Sequence, residues 1–227
     1  AVFTVCDGLR DRVIELGASP ERVHTVYQGV RPDRFSHGDR RAARRTLAIP
    51  DDVDAFLFVG RLVGVKRLDV LINAFDHVYS RNRRARLYLA GSGADVVKVR
   101  QDVTQRGLSE VVHLVGPVDQ SALPLWYQAA SATVLSSDSE GLPNVLRESL
   151  ACGTPFVSTD VGSVKEIAGP DYSLLVPSGR ADKLGEAMLQ ILETRFVDGA
   201  AKCPVSTWQD CAIDYLRVMS DPGIVSN

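Results

Sequence analysis

From residue 55 onward the chain alternates short, continuously apolar runs with longer amphipathic segments, and this alternation restricts the fold more than any other feature. AFLFVG (55–60), ARLYLAG (85–91), VVHLVG (111–116), ATVLSS (132–137), PFVSTD (155–160) and SLLVP (173–177) lack the strict polar alternation of a strand with one wet face. Between the first two, KRLDVLINAFDHVYSR (66–81) repeats Leu68, Leu71, Ile72, Phe75 and Val78 at helical spacing. Further helices are predicted near 94–106, near 121–129, from Pro143, near 162–168 and near 182–193. Strands buried on both faces, each followed by a helix, predict a parallel sheet with helices packed on either side.

This is a Rossmann-like α/β architecture, in which ligands bind beyond the carboxyl ends of the strands. Residues 51–194 are predicted to form that domain. Residues 1–50 are less regular: a strand-helix unit (2–17), a short strand HTVY (24–27), a turn-like QGVRPDRF and the charged DRRAARRTL, together read as the remnant of an N-terminal domain and a linker. Residues 195–227 hold one amphipathic segment, WQDCAIDYLRVM, and a polar tail. Because AVFTV reads as a buried strand from the first residue, the chain is expected to begin inside a fold, as a truncated or processed piece would.

Composition gives the class of protein and little else. A net charge of −2, with 45% apolar and 24% charged residues, favours neither a nucleic-acid nor a membrane partner. The clusters RNRRAR and DRRAARR read as solvated faces. No apolar run reaches the ~20 residues of a transmembrane span, and the first residues lack the basic region and cleavage site of a secretory leader. The four cysteines, Cys6, Cys152, Cys203 and Cys211, are scattered without metal-site spacing and are expected to be reduced thiols. A cytoplasmic protein is the expectation.

The residues after each strand carry the chemistry. Gly60, Arg61 and Lys66 follow the first strand of the main unit; two cations in a glycine-containing loop suit a diphosphate, and equally a solvated loop. AGSGAD after the second strand lacks the full dinucleotide pattern, so its glycines read as tight-turn residues. Pro117 and Val118 follow the third strand, offering backbone groups to a nucleobase. SEGLPNVLRESLACGTP (139–155) places Glu140 before a helix and Glu148 inside it. Pro143 suits the first helical position, leaving the N–H groups of Asn144 and Val145 free as an anion site. Gly141 admits close approach, and the two carboxylates can accept from ligand hydroxyls. The competing reading makes Glu140 a capping acid and Glu148 a solvent-facing helix residue. A shared hydrolase pair is disfavoured, since eight helical residues separate backbones by ~12 Å.

Three stretches together carry a family resemblance: GR…K at 60–66, the Glu-x7-Glu pattern in EGLPNVLRE at 140–148, and ACGTPFVSTDVGSVKEI at 151–167. Over roughly 55–193 the chain resembles the C-terminal, donor-binding domain of family 4 glycosyltransferases of the GT-B fold. The resemblance implies retaining transfer of a sugar from a nucleoside-diphosphate donor, UDP- or GDP-linked, with no cofactor and no metal. It implies Arg61 and Lys66 on the diphosphate, Glu140 on donor-sugar hydroxyls and Glu148 on the ribose. Val118 would lie near the base, and Gly60, Gly141, Leu142, Asn144 and Val145 would complete the donor site. The acceptor, a sugar, lipid or other hydroxyl, would be held by an N-terminal domain absent here, so the chain alone would be weakly active at best. A full-length protein peripheral to the inner membrane face fits the same reading. Two rival functions are an epimerase or hydrolase of nucleotide sugars and a non-catalytic nucleotide-binding module. The first is disfavoured because His24, His37, His77 and His113 do not follow core strands near the proposed site.

Overall fold

The computed structural model describes residues 1–203 and 205–220. In chain order the elements are β1 (Val2–Thr4), α1 (Asp7–Glu15), β2 (Val23–Thr25), α2 (Arg40–Leu47), β3 (Asp54–Val59), α3 (Leu68–Arg81), β4 (Ala85–Ala90), α4 (Val96–Gln105), β5 (Val112–Gly116), α5 (Leu123–Ala129) and β6 (Ala132–Leu135). They continue with α6 (Asn144–Ala151), β7 (Phe156–Thr159), β8 (Ser173–Val176), α7 (Ala181–Gln190), α8 (Thr194–Lys202) and α9 (Trp208–Met219). Strands β3 to β8 form one parallel sheet in the order β5-β4-β3-β6-β7-β8. The chain builds outward from β3 to one edge, then returns beside β3 and builds to the other. The β3/β6 junction is therefore the topological switch point, where a crevice opens at the strands' carboxyl ends.

The unbroken apolar runs arise because successive side chains enter different cores. Phe56 and Phe58 of β3, with Leu87 and Leu89 of β4, pack with Leu71 and Phe75 of α3 and Leu184 of α7. Their neighbours Ala55, Leu57 and Val59, with Tyr88 and Ala90, pack on the other face with Ala43 of α2 and Tyr127 of α5. Each Leu, Val or Phe among them fully withdrawn from water contributes about 1.5–3 kcal/mol before entropy is counted. A polar residue at any one of these positions would be stranded.

β1 and β2 form a separate parallel pair. A carboxylate from the main unit tethers this part: Glu166, in a 3₁₀ turn (Val164–Glu166), accepts from the backbone N–H groups of Asp7 and Gly8, each at 3.0 Å. Cys6 at the N-cap of α1 supplies no side-chain cap, so Glu166 takes that place across the fold, where the helix dipole favours an anion.

Three segments differ from their sequence-based expectation, the first being the helix expected near 162–168, which is only the 3₁₀ turn Val164–Glu166. DRRAARRTL is not an irregular connector but helix α2, capped by Asp39, whose carboxylate accepts from Arg41 N at 2.8 Å and Ala42 N at 3.2 Å. It packs against α5 and buries Arg44 beneath it. Residues 194–202, to which no element was assigned, form α8. The polar tail beyond residue 220 lies outside the described residues. Among the described residues Cys6, Cys152, Cys203 and Cys211 form no disulfide. Among the described residues no helix is long and apolar enough to cross a membrane.

Candidate functional site

The site grows from two loops that the switch point makes neighbours. The loop after β3 and the loop after β6 are joined by backbone and side-chain bonds: Asp138 N donates to Val65 O at 2.9 Å, and Ser136 Oγ donates to Lys66 O at 2.7 Å. Across this seam Lys66 Nζ lies 2.6 Å from Glu140 Oε1, with side-chain exposures of only 18% and 10%. Ser137 Oγ donates to the same carboxylate oxygen at 2.5 Å. Glu140 therefore offers Oε2, and Lys66 its remaining protons, to whatever enters. A half-buried ion pair of this kind is stronger than a surface pair, because solvent screens it less.

At the rim a second bridge spans the same loops. Arg67, in the left-handed region at φ 46°, donates to Asp138 Oδ2 and to Asp69 Oδ2, each at 3.0 Å. Ser178 Oγ donates to Asp138 Oδ1 at 2.6 Å. The Ser178 hydroxyl and then the Arg67 guanidinium hold the Asp138 carboxyl below its usual range. Arg61 follows Gly60 directly at the edge of β3; its guanidinium is exposed and has no hydrogen-bond or ion-pair partner among the described residues.

Glycines set how closely these loops stack. A Cβ on Gly91 would lie 1.8 Å from Gly60 O, and one on Gly93 would lie 2.2 Å from Leu62 O. AGSGAD thus lets the loop after β4 rest on the backbone of the loop after β3. By contrast, a Cβ on Gly141 would meet nothing within 4 Å, so this backbone borders open space. Gly162 supports Glu140 from behind: its φ is +56°, and a Cβ there would fall 1.9 Å from Glu140 O. Gly162→Ala is expected to cost about 1–3 kcal/mol, since alanine is strained in the left-handed region, and to displace the 139–142 loop. Urea denaturation measures the first effect, and a structure of the variant with the Lys66–Glu140 pair intact would contradict the second.

Helix α6 begins at Asn144, with Pro143 as its N-cap rather than its first helical residue, at φ −75° and ψ 106°. The extended ψ at proline accounts for the one-residue shift. The consequence for the site is unchanged: Pro143 has no polar side-chain group to cap the terminus, and the amides of Asn144 and Val145 precede the first intrahelical bond. Asn144 Nδ2 donates to Gln28 Oε1 at 3.1 Å. Leu142, two residues before the start of α6, is partly buried.

Glu148 is not a solvent-facing helix residue. It is partly buried, and its Oε2 accepts from Tyr127 Oη at 2.8 Å. Burial raises its pKa, while the Tyr127 hydroxyl, Arg34 and Arg147 oppose that rise. After β5, the N–H and C=O of Val118 have no hydrogen-bond partner among the described residues, and its side chain packs against the second core. His113 stacks on Tyr88 with ring centroids 4.8 Å apart, as a structural histidine would.

Sequence reasoning missed Ser137, Asp138, Tyr127 and Arg34. Ser137 and Asp138 could have been found, since they follow β6 directly. Tyr127 and Arg34 carry no local signal, because their roles depend on how α5 and the segment after β2 pack against α6.

Residues 39–203 match the pattern of the family described as "Glycosyl transferases group 1". Over 157 residues the chain is 42% identical to D-inositol 3-phosphate glycosyltransferase 2 of Catenulispora acidiphila, a match covering 65% of this chain and 37% of that protein. The chain thus spans well under half the length of this curated relative. The structure of Anabaena Alr3699/HepE in complex with UDP and glucose superposes with a TM-score of 0.79 at 19% identity, covering 99% of this chain and 61% of that one. The C-terminal domain of the glycosyl transferase group 1 family protein LpcC from Francisella tularensis is covered to 98%, using 82% of this chain, with a TM-score of 0.69 at 19% identity. The fold is the C-terminal, Rossmann-like half of a GT-B glycosyltransferase, and the chain belongs to the group 1 glycosyl transferases.

Proposed function

We propose that the chain is the donor-binding half of a retaining, family 4 type glycosyltransferase, taking a sugar from a nucleoside-diphosphate donor. The observation that carries this reading is the meeting of Lys66 and Glu140 at the switch point, beside the free amides of α6. A diphosphate at that terminus meets the amides of Asn144 and Val145 and the positive end of the helix dipole. Lys66 and Arg61 add a point charge and a bidentate fork. Glu140 Oε2 accepts from donor-sugar hydroxyls, Gly60 and Gly141 give the phosphate and sugar close access to the backbone, and Leu142 bounds the sugar. Glu148 accepts from the ribose, and the Val118 backbone reads the base.

Catalysis on this reading is stabilisation of the leaving group. As the glycosidic bond breaks, negative charge grows on the β-phosphate, and the cations and amides are already in place to receive it. The acceptor hydroxyl, from a sugar, lipid or other molecule, comes from an N-terminal domain across the cleft. UDP is the first nucleotide to try, because HepE was solved with UDP and glucose.

Titration calorimetry of the chain with UDP, GDP and ADP tests the proposal. One nucleotide is expected to bind, with affinity weakened by Lys66→Ala. Failure of all three to bind would remove the donor-site assignment. The same calorimetry with the unreacted nucleotide sugar, followed by product analysis in the presence of acceptor alcohols, separates transfer from epimerisation or hydrolysis.

A further inference from the structure

Tyr127 is among the largest fully buried side chains of the described residues, with 0% exposure, yet its hydroxyl points at the candidate site. The ring is fixed from several sides. Phe35 packs edge-on against it with centroids 6.1 Å apart, and the Tyr127 carbonyl accepts from Thr154 Oγ1 at 2.7 Å. The whole residue belongs to the core cluster under β3 and β4. A glutamate on a helix normally samples several rotamers; here one carboxylate oxygen is pinned by a donor that the core holds still.

We propose that Tyr127 is a positioning residue: by holding Glu148 Oε2 it fixes the carboxylate plane and presents Oε1 to a vicinal diol, so that the site discriminates ribose from a sugar lacking those hydroxyls. The inference rests on the reading that Glu148 contacts the ribose. Preorganisation is the physical reason, since an acceptor already fixed in its binding orientation loses little freedom when the ligand arrives. A hydroxyl-reading site also rejects analogues without the hydroxyl strongly, because its buried polar groups are then left unpaired. Tyr127 stays a donor under all ordinary conditions, as burial and the adjacent Glu148 push its own ionisation well above the usual range. The remaining charges felt by Glu148 are cations, Arg34 from the segment before α2 and Arg147 on its own helix.

The test compares whichever of UDP, GDP and ADP binds the chain with its 2′,3′-dideoxy counterpart, by calorimetry. The wild type is expected to prefer the ribonucleotide by about tenfold or more. Tyr127→Phe is expected to reduce that ratio by about fivefold, the worth of one hydrogen bond, while leaving the dideoxy affinity unchanged. Phe35→Leu, which disturbs the same core without touching the hydroxyl, is expected to lower the melting temperature and keep the ratio. Should Tyr127→Phe not fold, 4-fluorophenylalanine at position 127, which keeps the ring and nearly its length but removes the donor, takes its place and is expected to reduce the ratio in the same way. An unchanged ratio in Tyr127→Phe, or in the 4-fluorophenylalanine variant where it stands in, alongside a collapsed one in Glu148→Gln, would leave Tyr127 as core packing only. An unchanged ratio in Glu148→Gln would instead remove the ribose contact itself.

Discussion

Lys66→Ala, made in the full-length enzyme, is expected to lower turnover by about 10²–10³-fold, the cost of removing one preorganised donor from a developing oxyanion. The expectation combines two losses. The first is the point charge that would face the β-phosphate as the bond to the sugar breaks. The second is the partner of Glu140, whose Oε1 takes Lys66 Nζ at 2.6 Å and Ser137 Oγ at 2.5 Å. Without the lysine, a carboxylate that is only 10% exposed keeps a single neutral donor and has reason to turn toward water or toward the phosphate itself. Lys66→Arg restores charge but not shape, since a planar fork cannot occupy the place of an ammonium between Glu140 and a phosphate, so it is expected to recover only part of the rate. Arg61→Ala is expected to act in the same direction, without disturbing Glu140, because Arg61 has no partner to release among the described residues. Steady-state kinetics with a saturating acceptor, and melting curves to show that each variant is folded, decide the matter. Lys66→Ala activity within tenfold of wild type would sink the leaving-group assignment.

Arg44→Ala is expected to destabilise the fold by roughly 3–5 kcal/mol, because buried acceptors left without a donor cost about 1–3 kcal/mol each and some of them recruit water. Arg44 is 4% exposed, and among the described residues no carboxylate is in ion-pair contact with it, although Asp51, Asp54 and Asp52 lie near enough to act on its charge. Its guanidinium instead donates to the carbonyls of Ala129 and Asp51 at 2.9 Å, Val53 at 3.0 Å and Ser131 Oγ at 3.2 Å. These acceptors belong to the end of α5, the turn before β3 and the turn before β6, so one side chain closes the amino-terminal edge of the sheet. Arg45→Ala, at the exposed neighbouring position, is expected to change stability by less than about 0.5 kcal/mol. Urea unfolding of both variants measures the difference. A loss below about 1 kcal/mol for Arg44→Ala would mean that water replaces the guanidinium at little cost.

The two residues also mark how far the chain could be read in one dimension. Arg44 lies in a segment so charged that no apolar stripe was visible, and an arginine that serves buried carbonyls looks the same in sequence as one facing water. Helix α2 was missed for that reason. Lys66 and Glu140 were each legible, because a residue just past a buried strand must sit at the carboxyl edge of the sheet. Their contact was not, since 74 residues separate them.

What the sequence by itself determined is the class of fold and the helix terminus at α6. Continuous apolar runs such as AFLFVG can be satisfied only where both faces of a strand are covered, and Gly-Leu-Pro before an amphipathic segment starts a helix with unpaired amides. What only the tertiary structure decided is strand order, and with it the site. Placing β6 beside β3 brings the loops at 60–67 and 136–141 together, commits Glu140 Oε1 to Lys66 and Ser137, and sets Tyr127 under Glu148. Local periodicity fixes which side of an element is buried, but the partner across that buried surface is chosen by packing between distant segments, and no short stretch of residues encodes it alone.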